Sequence, residues 1–178
     1  MSVTVVFETH STSEDNEAGI ATGWLPGRLS AAGREQAREL GERRRDDGIE
    51  AVFTSDLGRA VETAEIAFAG TGLSVVQDAR LRECNYGRLN GTVEPLRDRS
   101  AHVDDPYPGG ESWRQAVERA AGFLEGLRHG RLLVIGHGAT RLALEVTANR
   151  RRLEDLVDAP LVWQPGWEYV LSSDGSTR

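Results

Sequence analysis

Residues 3–12 read Val3-Thr4-Val5-Val6-Phe7-Glu8-Thr9-His10-Ser11-Thr12, an apolar, β-branched run that ends on a histidine in a turn of small polar residues. Such a run predicts a buried strand, and the turn aims the imidazole outward from its end. Strand ends are where α/β proteins hold their ligands. The arrangement recurs downstream in Arg131-Leu132-Leu133-Val134-Ile135-Gly136-His137-Gly138, where an apolar run again closes on a histidine flanked by glycine. Two strand-end imidazoles in one small chain predict a shared site.

Between them, strands and helices alternate. The stretch 11–28 holds Asn16, Gly19, Gly23, Trp24, Pro26 and Gly27 and reads as an irregular loop able to fold over the strand end. Ser30 is the expected N-cap of a helix that runs to about Asp47, where Gly48 stops it. Its apolar face is mostly alanine, which predicts close packing. Ala51–Thr54 is a second strand, and Ser55-Asp56 is expected to cap a helix with Leu57, Ala60, Val61, Ala64, Ala67 and Phe68 at i, i+3, i+4 spacing. Leu73–Val76 reads as a third strand, followed by an irregular stretch to Ser112. Ser112 and Gln115 form a capping-box pattern before a helix with Trp113, Ala116, Val117, Ala120, Leu124 and Leu127 on one side. A strand over Leu132–Ile135, a helix from Ala139 to Asn149, a further turn at 154–157 and an alternating strand over Gly166–Leu171 complete the pattern. The alternation predicts a single three-layer α/β/α domain over residues 1–178 with a mostly parallel sheet.

Bulk properties narrow the function classes. A chain of 178 residues is long enough to bury one continuous core. The formal charge of −7 argues against a nucleic-acid-binding face, which needs a basic surface. All 21 basic side chains are arginine, so Schiff-base and P-loop chemistry, which use lysine, are excluded. The single cysteine, Cys84, excludes an internal disulfide framework and fits a reducing cytoplasm. No apolar run approaches 18 residues and Met1 leads straight into the first strand, so a cytoplasmic protein without membrane association is expected.

The order and spacing of several short motifs resemble the histidine phosphatase superfamily, in the branch related to phosphoglycerate mutases. The motifs are Thr9-His10-Ser11, Asn16, Leu29–Ala37, Ser55–Ala64 with Arg59, Leu81–Gly87 with Glu83, Pro108–Ser112 and Gly136-His137-Gly138. Each alone is weak, and together they span nearly the whole chain. The resemblance implies a metal-independent enzyme without a cofactor, acting on a small phosphorylated metabolite. It makes His10 the nucleophile, forming a phosphohistidine that splits one difficult hydrolysis into two displacements. It assigns the transferring group's charge to Arg59, to His137 held as a cation, and to nearby polar groups such as Asn16. Glu83 is implied as general acid and then general base, so the pH profile is expected to depend on it. Ser11, Thr22, Gly23 and Tyr86 are further candidates for the substrate pocket. His102, His129 and the Asp104-Asp105 pair read as surface features, and the four tryptophans as packing.

One departure stands out. The family's usual Arg-His-Gly is here Thr9-His10-Ser11, so a phosphate-binding guanidinium is missing at the first strand. A charge-assisted hydrogen bond of that kind contributes about 2–3 kcal/mol, or roughly two orders of magnitude in rate. Arg141, four residues after His137, is the expected substitute, and Arg82 the second candidate. The leading expectation is phosphomonoester hydrolysis, because the stretch between Glu83 and Pro108 is short for a mutase cap. A mutase-like phosphotransferase and a weakened phosphate-binding protein are the alternatives. The oligomeric state is left open, a homodimer being one reading.

Overall fold

The first strand, β1 (Ser2–Thr9), lies between β4 (Gly130–Gly136) and β5 (Trp167–Ser172). The computed structural model describes residues 2–160 and 162–172. With β2 (Ala51–Thr54) and β3 (Val75–Gln77) the sheet has the order β3-β2-β4-β1-β5. All neighbours pair in parallel except β5, which runs antiparallel along one edge. The expected α/β domain with a mostly parallel sheet is the observed one.

Alternation along the central strands sorts the core into two faces. Val5, Phe7 and Val134 face one cluster with α4 (Trp113–Leu124) and α5 (Gly138–Thr147). Val6, Leu133 and Ile135 face the other, with α2 (Ala31–Arg44) and α3 (Gly58–Phe68). The small residues of α2 let it approach α3 closely. A Cβ on Gly41 would lie 2.2 Å from the Ala67 carbonyl oxygen, a distance no side chain tolerates. Glu8, on the polar end of β1, is buried and receives both Arg43 and Arg44 from the last turn of α2. That pairing fixes the helix end to the sheet and satisfies a carboxylate that would be costly to bury alone.

Several boundaries differ from expectation for identifiable reasons. The loop after β1 contains a single helical turn, α1 (Glu14–Glu17), because Ser13 and Asn16 form a reciprocal capping box. Ser30 caps α2 as expected, but the helix ends at Arg44, and positive-φ Gly48 completes the turn that follows. The capping box at Ser112 and Gln115 is present. β3 is shifted to Val75–Gln77, and the turn after α5 is a 3-10 turn at Leu153–Asp155. Neither Ser55 nor Asp56 caps α3; its N-cap is Leu57, without a side-chain bond.

The register positions the site. Thr9 pairs with Gly136 and Thr54 with Ile135, so His10, Ser55 and His137 leave three adjacent strand ends at nearly one level. The backbone N–H of His10 donates to the Gly136 carbonyl at 3.0 Å, which locks the two histidine turns together.

Candidate active site

The His10 and His137 rings stand 5.0 Å apart between centroids, in the wall of a cavity of about 600 Å³. Arg59 and Glu83 line the same cavity. Four residues separated by up to 127 positions in sequence therefore meet at one sheet end, His10 and His137 from β-strand exits, Arg59 from the first turn of α3, and Glu83 from the segment after β3.

Hydrogen bonding fixes the tautomer of each histidine. His10 Nδ1 lies 2.7 Å from the Ser11 carbonyl oxygen, which only accepts, so Nδ1 carries the proton. Its Nε2 lone pair faces Arg59, whose Nε–H donates to it at 3.3 Å. Burial and the adjacent guanidinium pull the His10 pKa down from 6.5 to about 3, which keeps the imidazole neutral and its lone pair available. In His137 the pattern is reversed. Arg59 Nη2 donates to Nδ1 at 3.4 Å, so the proton sits on Nε2 and points at Ser55 Oγ, 2.6 Å away.

The cationic form of His137, expected beside a transferring phosphoryl group, is disfavoured by the protein surroundings alone. The residue is 1% exposed, and burial followed by the charge of Arg59 holds its pKa well below 6.5. Arg59 is 2% exposed; burial lowers its pKa from the usual guanidinium range, but the group stays charged. Its Nη2 also donates to the Gly23 carbonyl at 3.0 Å, while Nη1 is buried with no partner among the described residues. A buried cationic N–H without an acceptor is a place prepared for an anion's oxygen.

Glu83 spans the start of α5. One carboxylate oxygen accepts from the N–H groups of Cys84 and Ala139 at 2.9 and 3.0 Å, the other from Gly138 at 3.1 Å. These bonds hold the carboxyl group at the helix N-terminus directly after His137.

The remaining candidates divide. Ser11 is buried in the cavity wall with its N–H on Thr63 Oγ1. Asn16 and Thr22 also line the cavity; Asn16 Oδ1 closes the α1 cap, and the Thr22 hydroxyl donates to Asp15 at 2.7 Å. Tyr86 is buried edge-on to Tyr107 and Trp113, and burial pushes its phenol well above the usual range. Arg141 lines the cavity with its guanidinium 5.0 Å over Trp167 and a buried Nε lacking a partner among the described residues. Trp167 pairs with Phe7, two residues before Thr9 on the same face of β1, so Arg141 stands on the face where the first strand lacks its arginine. Arg82 is a correction to the expectation: it makes a bidentate pair with Asp56 and is absent from the cavity wall. Ser55 is the residue the sequence reading missed, because serine before a helix is ordinarily a cap.

Comparisons with known proteins identify the family. The model of the histidine phosphatase superfamily (branch 1) matches residues 6–162. A probable phosphoglycerate mutase GpmB from Citrobacter koseri is 31% identical, with 94% of this chain and 91% of that protein covered. The 2,3-bisphosphoglycerate-dependent phosphoglycerate mutase of Parvibaculum lavamentivorans is 28% identical, with 90% and 89% covered. Among solved structures, YhfR of Bacillus stearothermophilus is similar at a TM-score of 0.82 and 26% identity, covering 98% of this chain and 93% of that one. With the motifs, the fold and the four converging side chains in agreement, the chain belongs to branch 1 of the histidine phosphatase superfamily.

Proposed function

We propose that the protein is a phosphomonoester hydrolase for a small phosphorylated metabolite, working through a phosphohistidine at His10. The observation that carries this reading is the His10 Nε2 lone pair facing the partly unsatisfied Arg59 guanidinium inside one cavity. In the first step the Nε2–P bond forms and the P–O bond to the leaving group breaks, with Glu83 giving the leaving oxygen a proton. In the second, Glu83 takes a proton from water as its oxygen attacks phosphorus, the P–N bond breaks, and inorganic phosphate leaves. Arg59 and, once an anion is bound, protonated His137 hold the equatorial oxygens. Arg141 supplies the further guanidinium that Thr9 cannot.

The test is phosphate release from an aryl phosphate and a panel of metabolite phosphates by wild type and His10→Ala. Release that disappears in the variant, with an acid-labile phosphoryl label on the wild type, supports the hydrolase. Phosphate binding without release supports the weakened binding protein.

The names of the relatives favour a second reading, a phosphoglycerate mutase-like phosphotransferase. The segment 84–110 over the cavity consists of short 3-10 turns and loops, which leaves little to keep water from a phosphohistidine. Labelled phosphoryl groups that stay on the carbon substrate, with none released, would reverse the order of the two readings.

A further inference from the structure

Trp24 touches Glu83 from behind, away from the cavity chemistry. Its indole Nε1–H donates to the Glu83 carbonyl at 2.7 Å, and Arg119 Nη2 donates to the same oxygen at 3.1 Å. The indole face lies 4.6 Å from the Arg82 guanidinium and 5.7 Å from that of Arg119. Both cations are tethered, Arg82 to Asp56 and Arg119 to Glu111. The Trp24 backbone is tied as well, because its N–H and that of Tyr86 share Asn90 Oδ1. Gly23 must be glycine for this approach: its φ is +56°, and a Cβ would overlap Asn90 Oδ1.

The preceding residue completes the arrangement. The Gly23 carbonyl accepts from Arg59, so two consecutive residues of one loop hold the Arg59 guanidinium and the Glu83 segment. We propose that Trp24 is a positioning residue that sets Glu83 for proton transfer to the leaving oxygen, through its indole N–H on the Glu83 carbonyl and its contacts with the tethered Arg82 and Arg119 guanidinium groups. The inference rests on Glu83 acting as general acid in the hydrolase reading. The physical basis is that proton transfer requires heavy atoms within hydrogen-bond reach, so a small shift of Glu83 costs rate without costing anion affinity.

Leaving-group dependence of kcat/KM, which reports the steps up to the phosphohistidine, separates positioning from general damage. An alkyl phosphate needs a proton on its leaving oxygen, whereas 4-nitrophenyl phosphate does not. Trp24→Phe keeps the ring and removes the N–H; it is expected to lower kcat/KM about tenfold for the alkyl ester and less than about twofold for the nitrophenyl ester. In a Glu83→Gln background the same substitution should add no further leaving-group discrimination. Equal losses on both esters, or none on either, would overturn the proposal. Should Trp24→Phe melt below the assay temperature, Arg119→Met removes the other donor to the same carbonyl and must give the same selective loss. Failure of the wild type to release phosphate from either ester would instead overturn the hydrolase reading, and the positioning role with it.

Discussion

Ser55 Oγ lies 2.6 Å from His137 Nε2, and that contact determines which nitrogen of His137 faces the cavity. With Nε2–H committed to the serine, Nδ1 is the atom presented beside Arg59 and any bound anion. Ser55→Ala is therefore expected to lower kcat/KM and weaken inorganic-phosphate binding by about tenfold, the worth of one well-oriented hydrogen bond in a buried site. The hydroxyl also accepts from the Leu57 N–H at 3.4 Å, and its removal leaves the buried His137 Nε2–H without an acceptor, so the stability loss should be about 1–3 kcal/mol. Phosphate titration and chemical denaturation of one variant check both numbers; unchanged affinity would show that the serine does not orient the ring.

Arg59 places stability and function in opposition. A guanidinium at 2% exposure, with Nη1 unpartnered and no carboxylate contact among the described residues, costs desolvation free energy. Arg59→Met keeps the volume and removes the charge. Its thermal midpoint is expected to equal or exceed that of the wild type, while kcat/KM falls by roughly 10²–10³, the range for losing one preorganised donor to a developing oxyanion. Added inorganic phosphate should raise the wild-type midpoint and leave that of the variant in place.

Arg141 and Arg82 make opposite predictions from similar sequence positions. Arg141 reaches the cavity from α5, whereas Arg82 is held by Asp56 against the Trp24 indole and does not line the cavity. Arg141→Ala should weaken phosphate affinity by about 10- to 100-fold, the range of a charge-assisted hydrogen bond. Arg82→Ala should leave that affinity unchanged. A result with the two exchanged would return the missing guanidinium to the segment beside Glu83.

Much of the site is legible in the sequence because each part announces itself locally: an apolar run that ends on His10, another that ends on His137, and a helix whose first turn holds Arg59. What stays hidden depends on register and on neighbours far away in the chain. The pairing of Thr54 with Ile135 brings Ser55 to His137, and nothing near Ser55 distinguishes it from an N-cap. The charge of His137 follows from its burial beside Arg59, 78 positions away, which no window of residues reveals. Arg82 is misleading for the converse reason. It adjoins Glu83 in sequence, but its partner Asp56 lies outside the cavity and draws the guanidinium away from the site.

The two buried histidines predict how stability depends on pH. His10 has a folded-state pKa of about 3 against an ordinary 6.5, and His137 is lowered in the same direction. Between those values the unfolded chain binds more protons than the folded one, so stability is complete above about pH 6.5 and is lost as pH falls. Between pH 7 and 5 His10 should account for roughly 2 kcal/mol, since the unfolded imidazole charges over that interval and the folded one does not, and His137 contributes in the same direction. Urea denaturation at several pH values measures this, and replacing His10 by asparagine should remove its share of the slope.

Phosphate binding should reverse the charge of His137, and the proton it takes up can be counted. Burial and Arg59 favour the neutral ring, with Nδ1 accepting from the guanidinium. A dianion beside Nδ1 favours the imidazolium and offers that proton an acceptor, which raises the pKa towards and beyond its ordinary value. At pH 7 binding is then expected to take up close to one proton per site, beyond the proton balance of phosphate itself. Isothermal titration in buffers of different ionisation enthalpy gives that number directly, and His137→Gln should abolish the uptake. Zero uptake by the wild type would mean that Arg59 and Arg141 hold the anion with a neutral His137, and the transition-state charge would then rest on the two guanidinium groups.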